Sequence, residues 1–433
     1  MLGWVQTLSM TPSFILLLCL SLLVLRWLGQ WFLDRLNRNH VQTHAHQPPE
    51  AVRDIMDEAT YRRSVDYTLA KSRFGQMEEL WGLAMKTLFL RSGFLPWSLS
   101  FWASWVGSGV LATAGWLLVV SLVMGVPDLP LEWWSQFRLE ERFGFNKSTL
   151  KVWVTDHLKM LALSTLLGLP LIGGILKLTD WIGDQWWLWA WVLLMAFQAI
   201  MMVLAPILIL PLFNKFTPLP AGSLRDRLLK LGERTGFSAK TIQVADGSRR
   251  SAHSNAYFTG FGRFRKIVLY DTLIAQLTEV ELEAVLAHEI GHYRRGHIPK
   301  MLIWAGVSSL VSFALLGWLA RQPVFLEAFG FKGSAGTAPV LLLAGLLGGA
   351  VTFWLTPLGT RRSRRHEFEA DAYARNAMAE SASLIGALRK MHEKNLSNLT
   401  PHPWFSGFYY SHPTLVEREA ALRVDSGSPP PVH

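Results

Sequence analysis

His288, Glu289 and His292 carry the most specific chemistry in this chain, spaced as H-E-x-x-H within Ala287-His288-Glu289-Ile290-Gly291-His292. One helical turn separates positions i and i+4, so both imidazoles project from one face and can grip a single metal ion. Glu289 leaves the same turn beside them, placed to take a proton from an attacking water. Two histidines do not complete a zinc site; a third protein ligand is required, with the fourth position left open. The extended pattern H-E-x-x-H-x-x-G-x-x-H does not supply it, because Arg295 and Ile298 stand at its Gly and third His positions. His297 would lie roughly 13 Å along the axis from His288 on a continuous helix, and reads as a supporting or interfacial residue rather than a ligand.

The third ligand is expected in His366-Glu367-Phe368-Glu369-Ala370-Asp371-Ala372. On a helix Glu367 and Asp371 share one face, while Glu369 points about 200° away from Glu367. Ala370, Ala374 and Ala377 line the Glu367 face, and such small residues allow two helices to approach closely. Glu367 is therefore assigned as third ligand, with Asp371 accepting a hydrogen bond from a ligand imidazole. One zinc ion per chain is expected.

The elements that must hold these groups belong to a membrane protein. Of 433 residues, 50% are hydrophobic and only 17% charged, and 20 are tryptophans, a composition too apolar for an ordinary soluble surface. The single cysteine, Cys19, lies in an apolar run, so neither an internal disulfide nor a thiolate metal cluster exists. The net charge of +10 is scattered along segments that flank apolar runs. That distribution suits the headgroups of a lipid bilayer rather than nucleic acid.

Seven spans are expected: 12–33, read as uncleaved; two within 80–126; and 150–176, 186–212, 298–319 and 338–358. Lys and Arg concentrate in 34–79, at Arg138, Arg142 and Lys147, and at Arg361, Arg362, Arg364 and Arg365. By the positive-inside rule the N-terminus faces out, and segment 214–297 and the C-terminus face the cytoplasm. Two spans separate His292 from Glu367, so both ligand helices return to the same membrane face. Segment 214–297 is soluble in character, with an amphipathic helix over 224–236 and strands over 241–245, 256–258 and 266–270, the last two paired as a hairpin about Gly260-Phe261-Gly262. Thr278 and Glu281 have capping-box spacing and should start the motif helix. The expected parts are membrane helices with loops over 1–213, a zinc-site portion over 214–297, two further spans over 298–358, a third-ligand and substrate segment over 359–425, and a disordered tail over 426–433. The fold class is mostly α, a seven-helix membrane protein with a small zincin-like α/β portion.

Several stretches together resemble the CAAX prenyl protease type I family. They are His288-Glu289-Ile290-Gly291-His292, Arg364 with Glu367-Phe368-Glu369-Ala370-Asp371, Ser254-Asn255-Ala256-Tyr257-Phe258, Ile267 to Leu273, Glu140 to Asn146, and His412-Pro413 with Arg418. The resemblance implies seven helices enclosing a water-filled chamber, zinc bound inside it by two His and one Glu, and cleavage near the C-terminus of prenylated proteins. It also implies that His412 and Arg418 steady the oxyanion and substrate carbonyls. Asn255 and Ala256 precede the motif helix, where zincins place an edge strand for extended substrate. Glu140 and Glu141 are expected to pair with nearby arginines. Short loops and a compact tail resemble a bacterial member, which implies the cell inner membrane. Within the same chemistry, a quality-control protease indifferent to prenyl groups is the rival reading; oligomeric state is left open, a monomer being compatible with it.

Overall fold

The computed structural model describes residues 11–46, 48–237, 241–253, 256–259, 266–332 and 335–423, with backbone alone at 256–259. Among them, five helical segments are long and apolar enough to cross a membrane: Pro12–Thr43, Val110–Glu140, Leu150–Phe213, His297–Leu319 and Ala338–Met378. The 64-residue third segment holds two helices, Leu150–Ile182 and Trp186–Leu204, which fold back on each other through a tight turn at Gly183–Gln185. Gly183 takes φ +64° there, a left-handed backbone that glycine adopts without steric cost. Gly174 faces Leu193 across the pair, equally far from the turn. The long helix Glu58–Arg91 lies beside the first. Arg26, the charge that interrupts the first apolar run, pairs with Glu79 of that helix at 3.0 Å, so neither is an uncompensated charge among apolar helices.

Four strands form one sheet: β1 (Phe216–Pro218), β2 (Thr241–Ala245), β3 (Ala256–Thr259) and β4 (Lys266–Tyr270), in the order β1-β2-β4-β3. β2 and β4 run parallel, with Thr241 opposite Lys266. β3 and β4 form the antiparallel pair expected from sequence, with Ala256 opposite Leu269. The connecting turn 260–262 and Asn255 lie outside the described residues. β1 was not foreseen: three residues ending in a proline give too short a signal. An amphipathic helix, Ser223–Arg234, buries Leu228 and Leu231 beside the sheet.

The motif helix, Glu279–Arg294, starts at a capping box. Thr278 N–H donates to Glu281 Oε2 at 2.7 Å, and Glu281 N–H donates to Thr278 Oγ1 at 3.4 Å. Two orphan amides are satisfied at once. The helix is buried on nearly every side: Leu282, Leu286 and Ile290 are enclosed with Ile267, Leu269 and Leu273 from the sheet side and Ala374, Leu384, Leu388 and Leu422 from the C-terminal helices. Each such side chain contributes about 1.5–3 kcal/mol by leaving water. One core thus joins described residues of 214–297 to described residues of 359–425. Among the described residues, Glu140 and Glu141 pair with groups other than the expected arginines. Glu140 accepts from Tyr67 Oη at 2.8 Å, and Glu141 accepts from Asn146 Nδ2 at 2.8 Å. Glu140 ends a π-helical turn over Ser135–Glu140, and Tyr67 belongs to the helix Glu58–Arg91.

Candidate metal centre

The motif helix meets the ligand helix, Thr356–Met378, more closely than side chains normally permit. A Cβ on Gly291 would stand 3.0 Å from both the Cα and the carbonyl oxygen of Ala370. Gly291 is therefore required on one side, as Ala370 and Ala374, both fully buried, are on the other. This contact draws the histidine face of one helix against the carboxylate face of the other. The sequence reading anticipated the alanines but not the matching role of Gly291, which is legible as the only residue in the motif without a side chain.

His288 Nε2, His292 Nε2 and a carboxylate oxygen of Glu367 all lie within 4.8 Å of one another. The two Nε2 atoms are 3.2 Å apart, and Glu367 oxygens stand 3.4 Å from His288 Nε2 and 3.2 Å from His292 Nε2. His288 is 7% and Glu367 4% exposed, so both are largely withdrawn from bulk water. Their tautomers follow from the far ring nitrogens. His288 Nδ1 faces Asp371 Oδ1 at 2.8 Å and donates to it, so in the neutral ring Nε2 is the acceptor. Glu367 Oε2 is buried without a hydrogen bond. Two imidazole Nε2 atoms beside a buried carboxylate oxygen without a hydrogen bond make a donor set suited to a cation. Two imidazoles and one carboxylate fit zinc with an open fourth position.

Glu369 goes elsewhere. It accepts from Arg365 Nε at 3.1 Å and lies 3.0 Å from His297 Nε2. His297 itself returns to the centre, with Nδ1 2.9 Å from His292 Nδ1. The 13 Å separation from His288 assumed a continuous helix. Instead the motif helix stops at Arg294, Gly296 adopts φ +66°, and a new helix begins at His297. The left-handed glycine breaks the helix, and His297 stands beside His292 of the preceding turn.

Arg418 is 6% exposed and reaches the centre from Leu415–Arg423. Its Nε donates to Asp371 Oδ2 at 2.8 Å and its Nη2 to Asp371 Oδ1 at 2.5 Å, while Nη1 stands 3.7 Å from Glu367 Oε2. His412 lies at the open side, with its Nε2 3.4 Å from Glu367 Oε1. Glu289 has no hydrogen-bond partner among the described residues. Burial pushes its carboxyl above the ordinary range, against the pull of His288 and His292. Ala256 stands in β3 at the edge of the sheet.

Two histidines and a glutamate that could hold a metal ion, on helices that continue into apolar segments, define the class: a membrane-embedded zinc metallopeptidase. The family profile described as CAAX prenyl protease N-terminal, five membrane helices, matches residues 37–215, and that of peptidase family M48 matches residues 218–425. CAAX prenyl protease 1 of Saccharomyces cerevisiae is 36% identical over 402 residues, covering 86% of this chain and 88% of that protein. The human CAAX prenyl protease 1 homolog is 31% identical over 447 residues, covering 92% and 93%. The crystal structure of S. mikatae Ste24p superposes with a TM-score of 0.87 at 34% identity, covering 94% of this chain and 98% of that one. This chain belongs to peptidase family M48, in the branch of the CAAX prenyl proteases.

Proposed function

We propose that this protein cleaves peptide bonds near the C-terminus of prenylated proteins, at a centre formed by His288, His292 and Glu367. The observation that carries the reading is the convergence of those three donors beside Glu289, on helices whose continuations are apolar enough to enter a membrane. The relatives named above, themselves CAAX prenyl proteases, favour a lipidated substrate. A zinc ion held by the triad would polarise the scissile carbonyl and make water more acidic. Glu289 accepts the proton of the attacking water and passes it to the leaving amine, a role suited to a buried carboxylate with raised proton affinity. His412, at the open side, donates a hydrogen bond to the oxygen of the carbonyl as charge develops there. The backbone of β3 at Ala256, with Asn255 before it, pairs with extended substrate, since an edge strand offers unpaired amides and carbonyls.

Purified protein in detergent, given a farnesylated peptide and its unmodified twin, is expected to cleave the farnesylated one at least about tenfold faster by kcat/KM, a modest share of what burying an isoprenoid chain supplies. Equal rates would favour a quality-control protease indifferent to the lipid.

Arg418 we assign to positioning rather than to the substrate, because its Nε and Nη2 both bond Asp371, which in turn orients His288. Arg418→Ala leaves a buried carboxylate uncompensated, a change that costs about 3–5 kcal/mol. The variant is expected to melt at a lower temperature and to release zinc faster. Unaltered melting and zinc retention, with kcat alone reduced, would return Arg418 to the substrate.

Counting Leu150–Phe213 as two passes, and the helical run through 80–106 as one more, seven spans follow, enclosing a chamber. Lys and Arg distribution supports an outer N-terminus and a cytoplasmic zinc site. Reporter fusions after Leu33, Pro220 and Leu358 are expected to read cytoplasm; one reading the opposite side breaks this topology.

A further inference from the structure

His288 and His292 face the same candidate ion but are supported by different chemistry on their far nitrogens. His288 donates to Asp371, an anion clamped by Arg418. His292, the more exposed of the two, has among the described residues no carboxylate at its Nδ1; it has the ring of His297 at 2.9 Å. Two adjacent Nδ1 atoms can bond only if one carries hydrogen and the other does not. If His292 presents Nε2 to the ion, its hydrogen sits on Nδ1, so His297 Nδ1 must be the acceptor and the His297 hydrogen must sit on Nε2. Glu369 Oε2, 3.0 Å from that nitrogen, accepts it, and Arg365 holds the other oxygen of Glu369. His366 stacks on His297 with ring centroids 4.0 Å apart and planes 7° from parallel, fixing the ring's rotation.

We propose that His297 is a positioning residue that holds His292 in its zinc-binding tautomer, with Glu369 setting the tautomer of His297 in turn. The proposal rests on the ligand assignment above and adds a task for residues outside the ligand set. It also accounts for Gly296: without a left-handed residue there, His297 would continue up the helix and leave His292 Nδ1 unsupported.

The test is the rate at which zinc-loaded, detergent-purified protein loses its metal to a chromogenic chelator. His297→Phe keeps a stacked ring but offers no acceptor, and is expected to release zinc about 10–100-fold faster than the parent. The metal-free proteins should melt at the same temperature, which separates loss of ligand orientation from general loosening. His297→Asn returns an acceptor near the Nδ1 position and is expected to restore release to within a few-fold. Glu369→Leu removes only the group that sets the His297 tautomer, and should raise the rate by a smaller factor even if the phenylalanine variant fails to fold. Release within about threefold of the parent in both His297→Phe and Glu369→Leu overturns the proposal. If Glu367→Gln keeps its zinc, it is the ligand assignment that fails, not the support of His292.

Discussion

Glu289→Gln is expected to abolish peptide hydrolysis while zinc stays at the parent level. Glu289 stands outside the group of atoms that converge on the ion, so its charge is not needed to hold it. An amide of the same shape fills the same buried space but cannot accept a proton. Loss of a positioned general base costs about 10²–10⁴ in rate, and here the same group also returns the proton to the leaving amine, so the upper end of that range or beyond is expected. Metal content and cleavage of a fluorogenic peptide should be measured on one preparation. Turnover within tenfold of the parent would show that another group takes the proton.

The second large effect separates two neighbouring glutamates of identical chemistry. Glu367→Gln should lose metal and activity together, since a neutral amide is a poor zinc ligand and Glu367 stands between both imidazoles. Glu369→Gln should keep its zinc at full occupancy and most of its turnover. Its amide oxygen can still accept from His297, and a modest change in affinity does not empty a tight site. Elemental analysis of both variants decides the matter: a metal-free Glu369→Gln beside a metal-bound Glu367→Gln would reverse the assignment of ligand and support.

Much of this arrangement is carried by local rules. The capping box at Thr278 and Glu281 satisfies neighbouring backbone groups, and its spacing forms wherever the following residues are helical. The spacing of His288 and His292, and of Glu367 and Asp371, puts each pair on one helix face by the geometry of 3.6 residues per turn. Strands β2, β3 and β4 follow from short runs of β-branched and aromatic residues between turn signals. These depend on the chain within a few residues, so the sequence determined them. It also marked the chain as one that enters a bilayer, because apolar length and Lys/Arg placement are properties of the chain alone.

What passed beyond the sequence depends on which elements touch. Arg418 reads as a residue that reaches substrate, yet its guanidinium closes on Asp371, 47 residues away along the chain. Glu140 and Glu141 have arginines close by in sequence, but Glu140 accepts from Tyr67 of another helix. His297 reads from sequence as a supporting residue, but the helix break at Gly296 decides that it is His292 it meets. In each case an ionisable group must find its partner where burial removes water, and the penalty for leaving it unpaired is large enough to choose among partners. Local periodicity sets which face a residue occupies. Only the packing of helices at Gly291 and Ala370 decided what that face meets, because close approach of two backbones depends on both surfaces at once.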